Sequence, residues 1–131
     1  MNATKLNATE PVSFQGKSYI VMEAANQIVI EGSNEDYIQS VASISKIMTC
    51  IIAIENMDLD TIITVDETIN HAWGSGIYIH IGDKISLRDL LYGLMLRSGN
   101  DAALMIAKAV GKEVNKFVDM MNNKAKQLQL H

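Results

Sequence analysis

The sequence predicts an α+β fold, a helical cluster carrying an N-terminal β-hairpin. Three observations predict it. Two short β-branched runs, residues 18–23 (SYIVME) and 27–31 (QIVIE), lie close together near the N-terminus. Three stretches with apolar residues at spacings of three and four follow in the second half. The chain has 131 residues, of which 48% are apolar and 20% charged, enough to bury one core.

Residues 1–16 read as a polar N-terminal arm, and residues 17–131 as the folded part. The arm ends near Pro11, the chain's single proline. It lacks the apolar central stretch of a signal peptide. Asn2-Ala3-Thr4 and Asn7-Ala8-Thr9 fit the short glycosylation pattern, which recurs by chance, and we give them no weight. In the hairpin, Ala24-Ala25-Asn26 is read as the turn, because asparagine tolerates turn conformations. Gly32-Ser33-Asn34 is read as its end. A two-stranded hairpin is marginal alone and needs a partner.

Residues 43–56 (SISKIMTCIIAIEN) have almost no polar face beyond the first turn, which predicts a buried, central helix. Residues 59–65 and 84–85 are read as short strands around an irregular loop at Trp73–Gly76. Ser86 followed by Asp89 resembles a capping box, so a helix is expected from there to Arg97. Gly99 suits a helix end. A second helix is expected over Asp101–Val110, stopping at Gly111. A third, starting near Lys112, places Val114, Phe117, Val118, Met121 and Ala125 on one face.

Composition excludes several classes of function. The 11 basic and 15 acidic side chains leave a net charge of −4, which disfavours nucleic-acid phosphates as partners. The charge is uneven, since residues 71–131 hold 8 of the basic groups and 5 of the acidic ones. An ordinary solvated surface accounts for that. No apolar run is long enough to span a membrane. One cysteine, Cys50, precludes a disulfide within the chain and reads as a small buried hydrophobe. His71, His80 and His131 lack metal-ligand spacing, so neither metal nor cofactor is expected.

Two motifs carry chemistry. Ser43-Ile44-Ser45-Lys46 is an S-x-x-K pattern, with Ser43 and Lys46 on one helix face. A serine hydroxyl is a weak nucleophile and needs an adjacent base, which a buried lysine can supply. Ser98-Gly99-Asn100 lies in a turn between two helices, where a hydroxyl and an amide can project into a cleft. Either motif alone is explained by helix capping. Together they resemble the signature of the penicillin-recognising serine enzymes, S-x-x-K followed by S-D-N or a relative of it.

The surrounding text extends that likeness. VASISKIMTCIIAIEN, LRDLLYGLMLRSGNDAALMIAKAVG and KFVDMMNNKAKQLQL each resemble segments of the low-molecular-weight D-alanyl-D-alanine carboxypeptidases of bacteria. The resemblance implies the N-terminal portion of the serine β-lactamase/DD-peptidase fold. In that fold helices cover a five-stranded sheet, of which this chain holds only the hairpin. It implies Ser43 as nucleophile and Lys46 as its general base. Ser98 would relay a proton, and Asn100 would hold the substrate amide and Lys46. The Ser43 N–H would supply half of an oxyanion hole. Ser75, in the WGSGIY loop, and Gly99 are expected near the substrate.

The implied partners are a peptidoglycan stem peptide ending in D-Ala-D-Ala and β-lactams, outside the cytoplasmic membrane. Val41 stands where the family often has proline, and Ser45 where it has threonine. The family's third motif, K-T-G, does not occur in these 131 residues. The expectation is therefore a partial catalytic domain, inactive alone, with a sheet edge open to self-association. A catalytically dead relative binding cell-wall peptide or a partner protein is the alternative. A class A β-lactamase fits less well, because Gly99 replaces the aspartate of its S-D-N motif.

Overall fold

A computed structural model describes residues 15–130. Most of the expected arm, with both glycosylation patterns, lies outside the described residues. The chain divides into two compact units, with the boundary between Gln39 and Ser40.

The first unit is built on the expected hairpin. Strands β1 (Tyr19–Met22) and β2 (Val29–Ser33) pair antiparallel, with Tyr19 opposite Ser33 and Met22 opposite Val29. The register slips by one residue after Val21, which makes a bulge. The turn differs from the sequence reading in one respect. Gln27, not Asn26, takes the left-handed conformation, at φ +58°. Asn26 contributes its Oδ1, which accepts from the Ile28 N–H at 3.1 Å. The Glu23 carboxylate accepts from the N–H groups of Ala25 and Asn26, fixing the turn from its upstream side. β2 also runs on through Gly32 and Ser33, where the reading ended it. Ile20, Met22, Val29 and Ile30 are all exposed.

The second unit holds the helices and a second two-stranded sheet. A 3-10 turn (Ala42–Ser45) leads into α1 (Lys46–Asn56). Strand β3 (Ile62–Thr64) pairs antiparallel with β4 (Lys84–Ser86), placing Ile63 opposite Ile85. The expected capping box then starts α2 (Leu87–Arg97). The Asp89 N–H donates to Ser86 Oγ at 3.1 Å, and that hydroxyl donates to the Asp89 carboxylate at 2.7 Å. Helices α3 (Asn100–Gly111) and α4 (Val114–Gln127) complete the unit.

The main core joins Ala53 of α1, Ile63 and Val65 around β3, Leu87, Leu90, Leu91 and Leu94 of α2, and Ala102, Met105 and Ile106 of α3. A smaller cluster joins Ile52, Ala107 and Phe117. Each fully buried Leu, Ile or Phe contributes about 1.5–3 kcal/mol.

α1 packs against α2, α3 and α4, as a central helix does, but it is less buried than expected, and α3 is the more buried of the two. On α1 only Thr49, Ile52 and Ala53 are buried, and Ile47 and Ile54 are about half exposed. α3 packs against α1, α2 and α4. Its alanines and Gly111 allow this close approach. A Cβ on Gly111 would lie 2.7 Å from the Phe117 backbone nitrogen, so only glycine lets α4 turn back so tightly. An apolar surface all round predicted a fully buried α1, whereas several of its apolar residues stay exposed.

Candidate active site

The site begins at a strained residue. Ala42 sits at φ +45°, a left-handed conformation that L-residues avoid. It opens the 3-10 turn, closed by the Ile44 N–H donating to the Val41 carbonyl at 3.0 Å. Ser45 Oγ donates to the Ala42 carbonyl at 2.8 Å. The turn presents Ser43, exposed, one short step before α1. The sequence placed Ser43 on the helix proper. The i to i+3 relation to Lys46 survives, because Lys46 is the first residue of α1.

The second motif arrives from the α2–α3 corner. Ser98 itself adopts the left-handed cap of α2, at φ +55°. Gly99 is not the residue with positive φ, as the sequence suggested. Its φ is −62°, and it is the N-cap of α3. What demands glycine there is space, because a Cβ would meet the Asp101 carboxylate at 3.0 Å and Ile77 at 3.3 Å.

These two segments, 55 residues apart, meet at Ser43. Ser98 Oγ donates to Ser43 Oγ at 2.8 Å. Lys46 Nζ lies 3.4 Å from Ser43 Oγ and donates to Asn100 Oδ1 at 2.7 Å. Ser43 Oγ therefore has two polar neighbours able to exchange a proton with it. Lys46, Ser98 and Asn100 are each half-buried, while Ser43 faces outward. The 3.4 Å separation is long for a hydrogen bond, as apo catalytic pairs often are.

The loop over Trp73–Ile79 closes the other side. Asn100 Nδ2 donates to the Trp73 carbonyl, and the Asn100 N–H to the Ser75 carbonyl at 2.7 Å. Ser75 also lines an open cleft of about 410 Å³ with Gly76, Tyr78, Met95, Leu96, Arg97 and Ser98. The structure thus brings Ser43, Lys46, Ser98 and Asn100 into one cluster and Ser75 to its rim. Gly99 it buries, with its N–H given to the Gly93 carbonyl at 3.3 Å.

Such a cluster can do nucleophilic acyl chemistry. The comparisons with known proteins decide whose chemistry it resembles. A family described as D-alanyl-D-alanine carboxypeptidase matches residues 4–131. The chain belongs to the D-alanyl-D-alanine carboxypeptidase family. The D-alanyl-D-alanine carboxypeptidase DacF of Bacillus subtilis is 32% identical over 127 residues, covering 93% of this chain and 33% of that protein. DacD of Escherichia coli is 31% identical, covering 92% of this chain and 34% of that protein. Among solved structures, penicillin binding protein 6B from Escherichia coli superposes with a TM-score of 0.84 at 29% identity. That match covers 92% of this chain and 42% of the other. The DacD carboxypeptidase from Francisella tularensis gives 0.81 at 32% identity, over 88% and 29% of the two chains.

The chain thus spans about a third of the length of the curated carboxypeptidases it matches. Its helices and small antiparallel sheets are part of the carboxypeptidase fold, as the sequence led us to expect.

One residue central to the site escaped sequence reading. Asp101, buried, accepts from the N–H groups of Ile77, Tyr78 and Ile79 across the loop and from Ala102 on its own helix. An acid in the first turn of a helix looks like an ordinary dipole partner, and nothing in the text says that a loop 23 residues upstream folds onto it. Cys50, read as a small buried hydrophobe, is half-buried, and burial pushes its thiol above the usual range. Among the described residues no three His, Cys, Asp or Glu side chains converge to hold a metal, and no helix is long and apolar enough to cross a membrane.

Proposed function

We propose that this chain carries the nucleophile half of a serine-type D-Ala-D-Ala carboxypeptidase acting on peptidoglycan stem peptides. The observation that carries the reading is the environment of Ser43 Oγ, with Ser98 Oγ at 2.8 Å and Lys46 Nζ at 3.4 Å.

Lys46 takes the Ser43 proton as Oγ attacks the carbonyl between the two terminal D-alanines. The new Oγ–C bond forms, and the C–N bond breaks after collapse of the tetrahedral intermediate. Ser98 passes the proton on to the leaving amine. Asn100 holds Lys46 and the substrate amide, and Ser75 meets the substrate at the rim of the cleft. Water then hydrolyses the acyl-enzyme. A β-lactam enters by the same attack, but its leaving nitrogen stays tethered, so the ester persists. The reaction belongs on the outer face of the bacterial cytoplasmic membrane, where the stem peptides are.

K-T-G, whose lysine and strand bind the substrate carboxylate and supply the second oxyanion donor in the family, is not among these 131 residues. Turnover of peptide by this chain alone is therefore expected to be poor. Acylation by a reactive β-lactam is the appropriate test. The chain is incubated with a fluorescent penicillin, and the adduct is mapped by mass spectrometry. The expected result is one adduct on Ser43, lost in Ser43→Ala and reduced about 10²–10⁴-fold in rate in Lys46→Ala. A folded chain that takes no label would sink the reading that these residues form an acylating site, and favour an incomplete fragment or a relative that binds without catalysis.

A further inference from the structure

We propose that Asp101 is a positioning residue for the Ser43 reaction, acting through the Trp73–Ile79 loop to hold the Asn100 amide with its oxygen toward Lys46. The proposal rests on the reading of Ser43 and Lys46 given above.

The Asp101 carboxylate lies in a concavity of successive backbone N–H groups. Ile77 donates to both oxygens, at 3.0 and 3.1 Å, Tyr78 at 2.8 Å and Ile79 at 3.4 Å. Three consecutive N–H groups converge on one anion only when the backbone curls, and Tyr78 accordingly takes φ +59°. The Ala102 N–H, at 2.8 Å, ties the same carboxylate to the start of α3. The space it fills is kept open by two glycines. A Cβ on Gly76 or on Gly99 would come within 3.0 Å of its oxygens.

The other end of this loop meets the neighbouring residue. The Trp73 carbonyl takes Asn100 Nδ2, and the Ser75 carbonyl takes the Asn100 N–H. Residues 73–79 are therefore stitched to Asn100 and Asp101 along their whole length. A side-chain amide can present either its oxygen or its NH2 to Lys46. A carbonyl only accepts, so the Trp73 oxygen fixes which end is which. With Nδ2 held there, Oδ1 faces Lys46 Nζ at 2.7 Å. The reverse orientation would set Oδ1 against the Trp73 carbonyl oxygen, acceptor against acceptor, and lose the bond that Nζ donates. Asp101 touches neither Ser43 nor Lys46. It works by keeping the Trp73 carbonyl where Asn100 needs it.

The test is Asp101→Asn in this chain, read by NMR. The new NH2 would face loop N–H groups, donor against donor. Exchange at Ile77, Tyr78 and Ile79 is expected to accelerate about tenfold or more, while core amides of α2 and α3 keep their protection. The decisive signal is the Asn100 side-chain NH2 pair. It is expected to be separated and slowly exchanging in the parent chain, and to collapse toward free-amide shifts in Asp101→Asn. A freed loop with an unchanged Asn100 pair would overturn the proposal and leave Asp101 a staple for the loop alone.

Should Asp101→Asn not fold, Gly76→Ala serves instead. It displaces the loop from the carboxylate with the charge retained, and the same collapse at Asn100 is expected. An unchanged pair there would also overturn the proposal. Penicillin acylation is measured alongside, with a roughly 10²-fold slower rate expected in Asp101→Asn. An unlabelled parent chain would count against the enzymatic reading alone, because the Asn100 signal is read without any reaction.

Discussion

Ala42 bears the φ of +45° that places Ser43 beside Ser98 and Lys46. A left-handed alanine costs about 1–2 kcal/mol, and glycine escapes that cost while adding some unfolded-state entropy. Ala42→Gly is therefore expected to leave stability unchanged or raise it by up to about 1 kcal/mol. A urea midpoint that falls clearly would show that the alanine methyl makes a contact worth more than the strain. Strain at this position suits a neighbour of the proposed nucleophile, since non-ideal backbone is commonly stored at functional sites. Four side chains of the site, Ser43, Lys46, Ser98 and Asn100, were legible because each motif is local and each residue type has a chemical role. The Trp73 carbonyl was not, because a backbone acceptor has no letter in the sequence. Asp101 was not, because its partners are N–H groups that every residue except proline carries.

At the scale of elements, the start of α2 was legible, and the extent to which each helix is buried was not. Ser86 and Asp89 announced the start of α2 by chemistry that is complete within four residues. How deeply a helix is buried depended on close approach. Gly111 is the sharpest instance, since a Cβ there meets the Phe117 backbone at 2.7 to 3.0 Å. Backbone cannot swing aside as a long side chain can. Gly111→Ala should therefore cost about 1–3 kcal/mol by overpacking, despite alanine's better helix propensity. Denaturant unfolding measures it, and a neutral or stabilising result would mean that the α3–α4 corner relaxes at little cost. The hairpin was legible from its β-branched runs, yet its turn was not. The asparagine side chain serves as an acceptor, and the left-handed φ falls one residue later.

At the scale of the molecule, much apolar surface faces outward. Ile20, Val29 and Ile30 are exposed in the hairpin unit, and Ile44, Ile47, Ile54 and Leu96 in the helical unit. Large apolar side chains left exposed favour association, and two-stranded sheets offer unpaired edges. The 131-residue chain is expected to self-associate at micromolar concentration and to bind a hydrophobic dye in its folded state. Light scattering across a dilution series tests this. A monodisperse monomer at every concentration, with its hairpin amides protected from exchange, would refute it.

The bond between Lys46 and Asn100 joins residues 54 apart in sequence. Neither of its segments gains anything from the other until α1 and α3 have docked. Each helix can form locally and early, but closing so long a stretch of chain costs entropy before any contact repays it. Lys46 therefore acquires its Asn100 partner only at a late, cooperative step of folding. On the function proposed above, reactivity toward penicillin would also serve as a clock. Followed after dilution from denaturant, it should lag the recovery of helical signal, timing the moment at which two distant stretches of chain become one site.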